Sequence, residues 1–212
     1  MITNLKEIVE KEIQAIRQIP LSDAYEQAVE LILLQVHQKK GKLVCSGMGK
    51  AGQIASNIAT TFSSTGTPAL FLHPSDAQHG DLGILCENDL MLLISNSGKT
   101  REIIELVGLA RQLIPDIRFI VITSHADSEL AKSADICLLT GNPPEVCALG
   151  LTPTTSTTVM TVMGDLLVVE TMKRIGFTVA DYAKRHHGGY LGAVSRMQCN
   201  REDEDIVNFN HL

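Results

Sequence analysis

The run Leu43-Val44-Cys45-Ser46-Gly47-Met48-Gly49-Lys50-Ala51-Gly52 decides the fold class. An apolar strand feeds a glycine-rich turn, and Ile54, Ala55, Ile58, Ala59 and Phe62 then recur at the spacing of one helix face. Backbone amides at such a turn lack intrahelical partners and sit at the positive end of the helix dipole. The turn with Ser46, Gly47 and Gly49 is therefore a ready anion site. Gly47-x-Gly49-x-x-Gly52 also matches the dinucleotide fingerprint. That fingerprint needs a carboxylate about 20 residues further on, at the end of the next strand. Here the next strand, Ala69-Leu70-Phe71-Leu72, runs into His73-Pro74, and Asp76 comes only after the proline. Lys50, inside the loop, suits a phosphate or an anionic intermediate better than a dinucleotide.

A second strand, Asp89-Leu90-Met91-Leu92-Leu93-Ile94, leads into Ser95-Asn96-Ser97-Gly98-Lys99-Thr100 and another helix. Hydroxyls at 95, 97 and 100, with the amides at 97–100, form a nest that can surround one phosphate. Gly98-Lys99-Thr100 imitates the end of a Walker loop, but that motif requires glycine at position 93, which is Leu93. A lone Ser-Asn-Ser-Gly is an ordinary turn with a helix cap. Two phosphate-type loops after two strands are harder to explain that way.

Working outward, 212 residues suit one α/β domain with a full core. The net charge of −6 argues against nucleic acid or an anionic membrane as the main partner, so a phosphate must be held by local geometry. No apolar run is long enough for a membrane span and the amino terminus is no signal peptide. The cysteines at 45, 86, 137, 147 and 199 form no Cys-x-x-Cys pair and read as reduced thiols of a cytoplasmic protein.

In chain order, a helix is predicted over 4–18, capped by Thr3 or Asn4, and a second runs from a Ser22 cap to Gly41. Their apolar faces suit either the sheet or a partner subunit. Strands are predicted at 69–72, 89–94, 118–122 and 136–139, with helices at 101–114 and 127–133. This alternation implies a parallel sheet covered on both faces, with ligand loops at the carboxyl ends of its strands. A long helix ending near Ile175 carries Met160, Met163, Leu166, Leu167, Val168, Val169 and Met172, which leave it almost no polar face; an oligomer interface is the expected reason. A short helix near 179–185 precedes His186-His187-Gly188-Gly189, and 194–212 reads as a polar tail.

These motifs together resemble the sugar isomerase (SIS) domain, and within it the arabinose 5-phosphate isomerases of the bacterial Kdo pathway. The matching residues include Gly47-Met48-Gly49-Lys50, Thr61–Pro68, His79-Gly80-Asp81-Leu82-Gly83, Ser95-Asn96-Ser97-Gly98, Leu149–Thr158, Met163-Gly164-Asp165 and Gly188–Gly192, so the likeness covers about 40–193. It implies a three-layer, doubly wound α/β sandwich with a five-stranded parallel sheet of flavodoxin-like order, preceded by N-terminal helices over 1–40. It further implies interconversion of ribulose 5-phosphate and arabinose 5-phosphate, with Lys50, Glu102, Glu145 and His186 in the chemistry and His79 opening the sugar ring. Ser46, Gly47, Gly49, Ser95, Asn96, Ser97, Gly98, Thr100 and Thr154 would bind substrate. Lys99, Ala51 and His187 depart from the usual glutamate, serine and proline of that family.

Aldose–ketose exchange removes a proton beside a carbonyl, and a carboxylate does this well when partial desolvation raises its pKa toward neutrality. Glu145 is assigned as that base, Lys50 as the stabiliser of oxyanion charge and His186 as the shuttle between oxygens, with Glu102 orienting hydroxyls or sharing the base role. Neither cofactor nor metal is expected, since His79 and Asp81 are too few ligands for a metal site. The expected partners are a phosphosugar and further copies of the chain, as a dimer or dimer of dimers. Alternatives are an isomerase of a hexulose or heptulose phosphate, or a non-catalytic phosphosugar sensor.

Overall fold

The computed structural model describes residues 2–198. Helix α1 (Ile2–Arg17) starts ahead of the cap expected at Thr3 or Asn4, and α2 (Ala24–Ile32) continues as a π-helical stretch over Leu33–Gln38. The alternation then runs β1 (Leu43–Gly47), α3 (Gly49–Ser64), β2 (Ala69–Phe71), the single turn α4 (Pro74–Ala77), β3 (Leu90–Ile94), α5 (Arg101–Leu113), β4 (Arg118–Thr123), α6 (Glu129–Ser133) and β5 (Ile136–Leu139). The long α7 (Thr155–Arg174) and short α8 (Val179–Arg185) follow.

All five strands are parallel, in the order β2-β1-β3-β4-β5. β1 and β3 are wholly buried because they lie inside the sheet with helices on both faces. Alternate residues divide between two cores. Leu43, Cys45, Leu92 and Ile94 face Ala28, Ile32, Ile58, Phe62, Met163 and Leu167 of α2, α3 and α7. Val44, Met91, Leu93 and Phe119 face Ile103, Leu106 and Ala110 of α5 with Leu130 of α6. The result is the three-layer sandwich expected from the alternation.

Two expectations are corrected. Val159, Met160, Met163, Leu167 and Val168 of α7 are buried within this single chain. α7 packs against α1, α2 and α3, so its all-round apolarity needs no partner subunit. Leu166 and Val169 alone among its large aliphatic side chains stay exposed. Further on, residues 189–198 form a helix, so the tail does not start at 194. Leu191, Val194 and Ser195 share a helical face and line one hollow with Met172 and Phe177. The acidic run 201–205 lies outside the described residues.

Candidate active site

The strand order reverses between β1 and β3, and the loops after these two strands meet there, where open α/β sheets bind ligands. A cavity of 330 Å³ opens at this point. Met48 and Lys50 contribute from the glycine loop, and Ser95, Asn96, Ser97 and Thr100 from the serine loop. Pro153, Ser156, Thr157 and Met160 close it from the start of α7.

Glycine is required in the first loop by close approach: a Cβ on Gly47 would lie 2.8 Å from the Ala51 carbonyl, and one on Gly52 would lie 2.5 Å from the Gly47 oxygen. Lys50 stands exposed in the first turn of α3. Ser46 has another job. Its hydroxyl donates to the Leu72 carbonyl at 2.6 Å, tying the ends of β1 and β2, and it does not line the cavity.

The serine loop is internally braced. Ser95 Oγ and Thr100 Oγ1 are 2.7 Å apart, and the Gly98 amide donates to the Ser95 carbonyl and hydroxyl at 3.1 and 3.2 Å. The Lys99 amide donates to Ser97 Oγ at 3.2 Å. The amides of Gly98 and Lys99 are thus already engaged. Ser97 Oγ, exposed at the cavity wall, is the hydroxyl best placed for an incoming anion.

Glu145 is organised by the start of α7. Its carboxylate accepts from the Thr154 amide at 2.7 Å, Thr154 Oγ1 at 2.9 Å, the Ser156 amide at 3.3 Å and the Ser156 hydroxyl. Thr154 therefore serves Glu145 and is absent from the cavity lining. Partial burial pushes the Glu145 carboxyl upward, but donation from Ser156 and Thr154 outweighs it and holds the group below the usual carboxylate range. This reverses the direction expected from desolvation alone, because four donors converge from one helix start and residue spacing does not reveal them. Ser156, which lines the cavity, links it to the Glu145 carboxylate; Glu145 also lines a separate hollow of 550 Å³ between α1 and the 143–146 loop. Ser156 received no role of its own from the sequence, although the hydroxyl-rich run Thr154–Thr158 at a helix start was a visible signal.

The remaining candidates lie apart from the cavity wall. Glu102 is half-buried in the first turn of α5, and His79 is exposed in the turn after α4. His186 caps α8, a helix started by a reciprocal Thr178–Asp181 capping box. Its ring stacks on Tyr182 at 3.7 Å between centroids, with Nδ1 3.0 Å from the Tyr182 carbonyl. Among the described residues, no three His, Cys, Asp or Glu side chains gather as a metal site, and no helix is long and apolar enough to cross a membrane.

Fold and site together define a class: doubly wound α/β domains that bring the loops after β1 and β3 around one cavity at the carboxyl edge of the sheet. Within that class the chain belongs to the SIS domain family, whose model matches residues 35–170. It is 44% identical over 189 residues to the arabinose 5-phosphate isomerase KdsD of Yersinia pestis, covering 88% of this chain and 56% of that protein. The chain spans about half the length of the curated relatives it matches. Among solved structures, it is 69% identical to a Bacteroides fragilis protein assigned as a phosphosugar isomerase involved in capsule formation (TM-score 0.89, 90% of this chain, 99% of that one). An Escherichia coli CFT073 protein, solved in complex with arabinose 5-phosphate, is 36% identical (TM-score 0.77, 85% of this chain, 94% of that one).

Proposed function

We propose that this chain is a cytoplasmic aldose–ketose isomerase that interconverts D-ribulose 5-phosphate and D-arabinose 5-phosphate through an enediolate, supplying the Kdo pathway for lipopolysaccharide or capsule. The observation that carries this reading is the cavity wall: a hydroxyl-rich anion loop, Lys50 and Ser156, the last hydrogen-bonded to Glu145. The relatives above support the choice of substrate.

From ketose to aldose, one proton leaves C1 and one is delivered to C2, while another passes from O1 to O2. The electrons stay within the sugar, so no external acceptor is needed. In this mechanism the serine loop anchors the phosphate, Glu145 carries the proton between carbons, and Lys50 stabilises charge on the enediolate oxygens. His186 moves the proton between oxygens, Glu102 orients hydroxyls and His79 assists ring opening. Assay of the purified protein against pentulose, hexulose and heptulose phosphates tests the reading. Turnover confined to a longer ketose phosphate, or none at all, would overturn it.

Ser97→Ala is expected to weaken substrate binding by about 1–3 kcal/mol, the scale of a hydrogen bond to an anion. Calorimetric titration with arabinose 5-phosphate measures it. Unchanged affinity would move the phosphate to the glycine loop.

The histidines lie away from the cavity of their own chain, and exposed apolar side chains flank both His186 and Glu145. Leu149 and Leu151 beside Glu145 are 77% and 78% exposed, and Tyr190 and Leu191 beside His186 are 81% and 58% exposed. Such patches mark association surfaces, and we read them as joining copies of the chain so that His186 of one serves the cavity of another. Inactive His186→Ala chains mixed with inactive Glu145→Gln chains should then regain activity. No recovery after verified subunit exchange would put both groups in one subunit.

A further inference from the structure

Glu12 occupies a position where an apolar side chain would be expected. Half-buried Ile16, four residues on, and Ile8, four residues before and 40% exposed, place it on the α1 face that carries buried Ala15 and packs on α7, with buried Ile19 just beyond the helix end. There Oε1 accepts a 2.9 Å hydrogen bond from Thr155 Oγ1, and Thr155 is itself 1% exposed. The other oxygen, Oε2, is buried without a hydrogen-bond partner among the described residues. A carboxylate so placed is a poor choice for stability alone, because an unpaired buried acceptor is costly and an apolar residue of similar volume is often as good or better.

Its location suggests another purpose. Three consecutive residues open α7, and they are divided between two carboxylates: Thr154 and Ser156 donate to Glu145, while Thr155 between them donates to Glu12. The first turn of α7 is also cavity wall through Ser156 and Thr157. We infer that Glu12 is a positioning residue, which holds the first turn of α7 from the α1 side so that Thr154 and Ser156 present their donors to Glu145 at the cavity edge. The inference deepens the isomerase reading and rests on it for its kinetic consequence, though the contact itself does not.

The test uses Glu12→Met, Glu12→Gln and Thr155→Val in the full chain, with three readouts: titration of the ¹³C-labelled Glu145 carboxyl, kcat against KM, and Tm. In Glu12→Met and Thr155→Val, Glu145 should titrate at higher pH than in the parent, because its donors are no longer held in register. kcat should fall roughly 10- to 100-fold with KM little changed, the scale of a misplaced catalytic group. Glu12→Gln keeps the acceptor for Thr155 and should stay near the parent in both. The Tm of Glu12→Met should hold or rise, which a purely structural residue would not allow. Unmoved Glu145 titration in both Glu12→Met and Thr155→Val overturns the inference, as does a fall in Tm as the sole effect. If Glu12→Met does not fold, Thr155→Val removes the same bond from its other end and decides. If the parent turns over no ketose phosphate, the isomerase reading fails while the titration still judges Glu12.

Discussion

Glu145→Gln is expected to lower turnover by roughly 10²–10⁴, the usual contribution of a positioned general base, with substrate affinity little changed. Glutamine keeps an oxygen for the donors of Thr154 and Ser156, so the start of α7 should survive. In deuterated water the parent enzyme should place solvent deuterium on C1 or C2, since the carboxylic acid exchanges its proton before returning it. Full activity in the glutamine variant, or strict retention of the substrate's own hydrogen, would sink this mechanism.

The same residue makes a pH prediction. Its folded-state carboxyl is held below the ordinary value of 4.5, burial being outweighed by the donors of Ser156 and Thr154. A depressed carboxylate contributes stability that is fully present above the unfolded-state pKa and is lost as pH falls through the folded-state value. Acid unfolding of the parent should therefore include a component below about pH 4.5 that is missing from Glu145→Gln. Urea titrations at neutral and acid pH compare the two. The acid limb of kcat/KM due to this group, which reports the free enzyme, should lie in the same low range; a limb of kcat near neutrality would mean that substrate binding strips Glu145 of its donors.

Gly98→Ala is expected to cost about 2–4 kcal/mol, from left-handed backbone strain together with overpacking. Gly98 has φ +62°, and an added Cβ would run into the Ser128 side chain, 2.5 Å from its Cβ and closer still to its hydroxyl. Ser128 Oγ accepts from the Ala131 amide to cap α6, so the serine loop is wedged against the start of α6. Adding Ser128→Gly should recover part of the loss, because glycine caps nearly as well and removes the clash. Denaturant midpoints measure both, and a loss in Gly98→Ala below about 0.5 kcal/mol would show that the loop adjusts freely.

Much of the fold was legible from residue spacing. Leu43–Gly52 and Asp89–Thr100 each spell a buried strand, a tight loop and a helix, and buried parallel strands have no polar face to confuse with solvent. Both loops lie at the carboxyl ends of their strands as expected, and folding brings them to one cavity. The helix over 189–198 was hidden because Gly188, Gly189 and Gly192 at its start read as a turn, although Leu191, Val194 and Met197 recur at helical spacing. The crowding of α7 by three helices of its own chain was also out of reach: a uniformly apolar helix records that it is covered, but not by what.

The sequence by itself determined the α/β class, the two loops that follow β1 and β3, and the residue types able to hold an anion, because local periodicity and turn chemistry are properties of neighbouring residues. Tertiary structure alone decided how those groups are used. It turned Ser46 away to Leu72, gave Thr154 and Ser156 to Glu145, lowered the carboxyl that desolvation alone would have raised, and brought Glu12 to Thr155 across 143 positions of chain. Hydrogen bonds and pKa values depend on distances of a few ångströms between residues far apart in the chain, and only folding sets those distances.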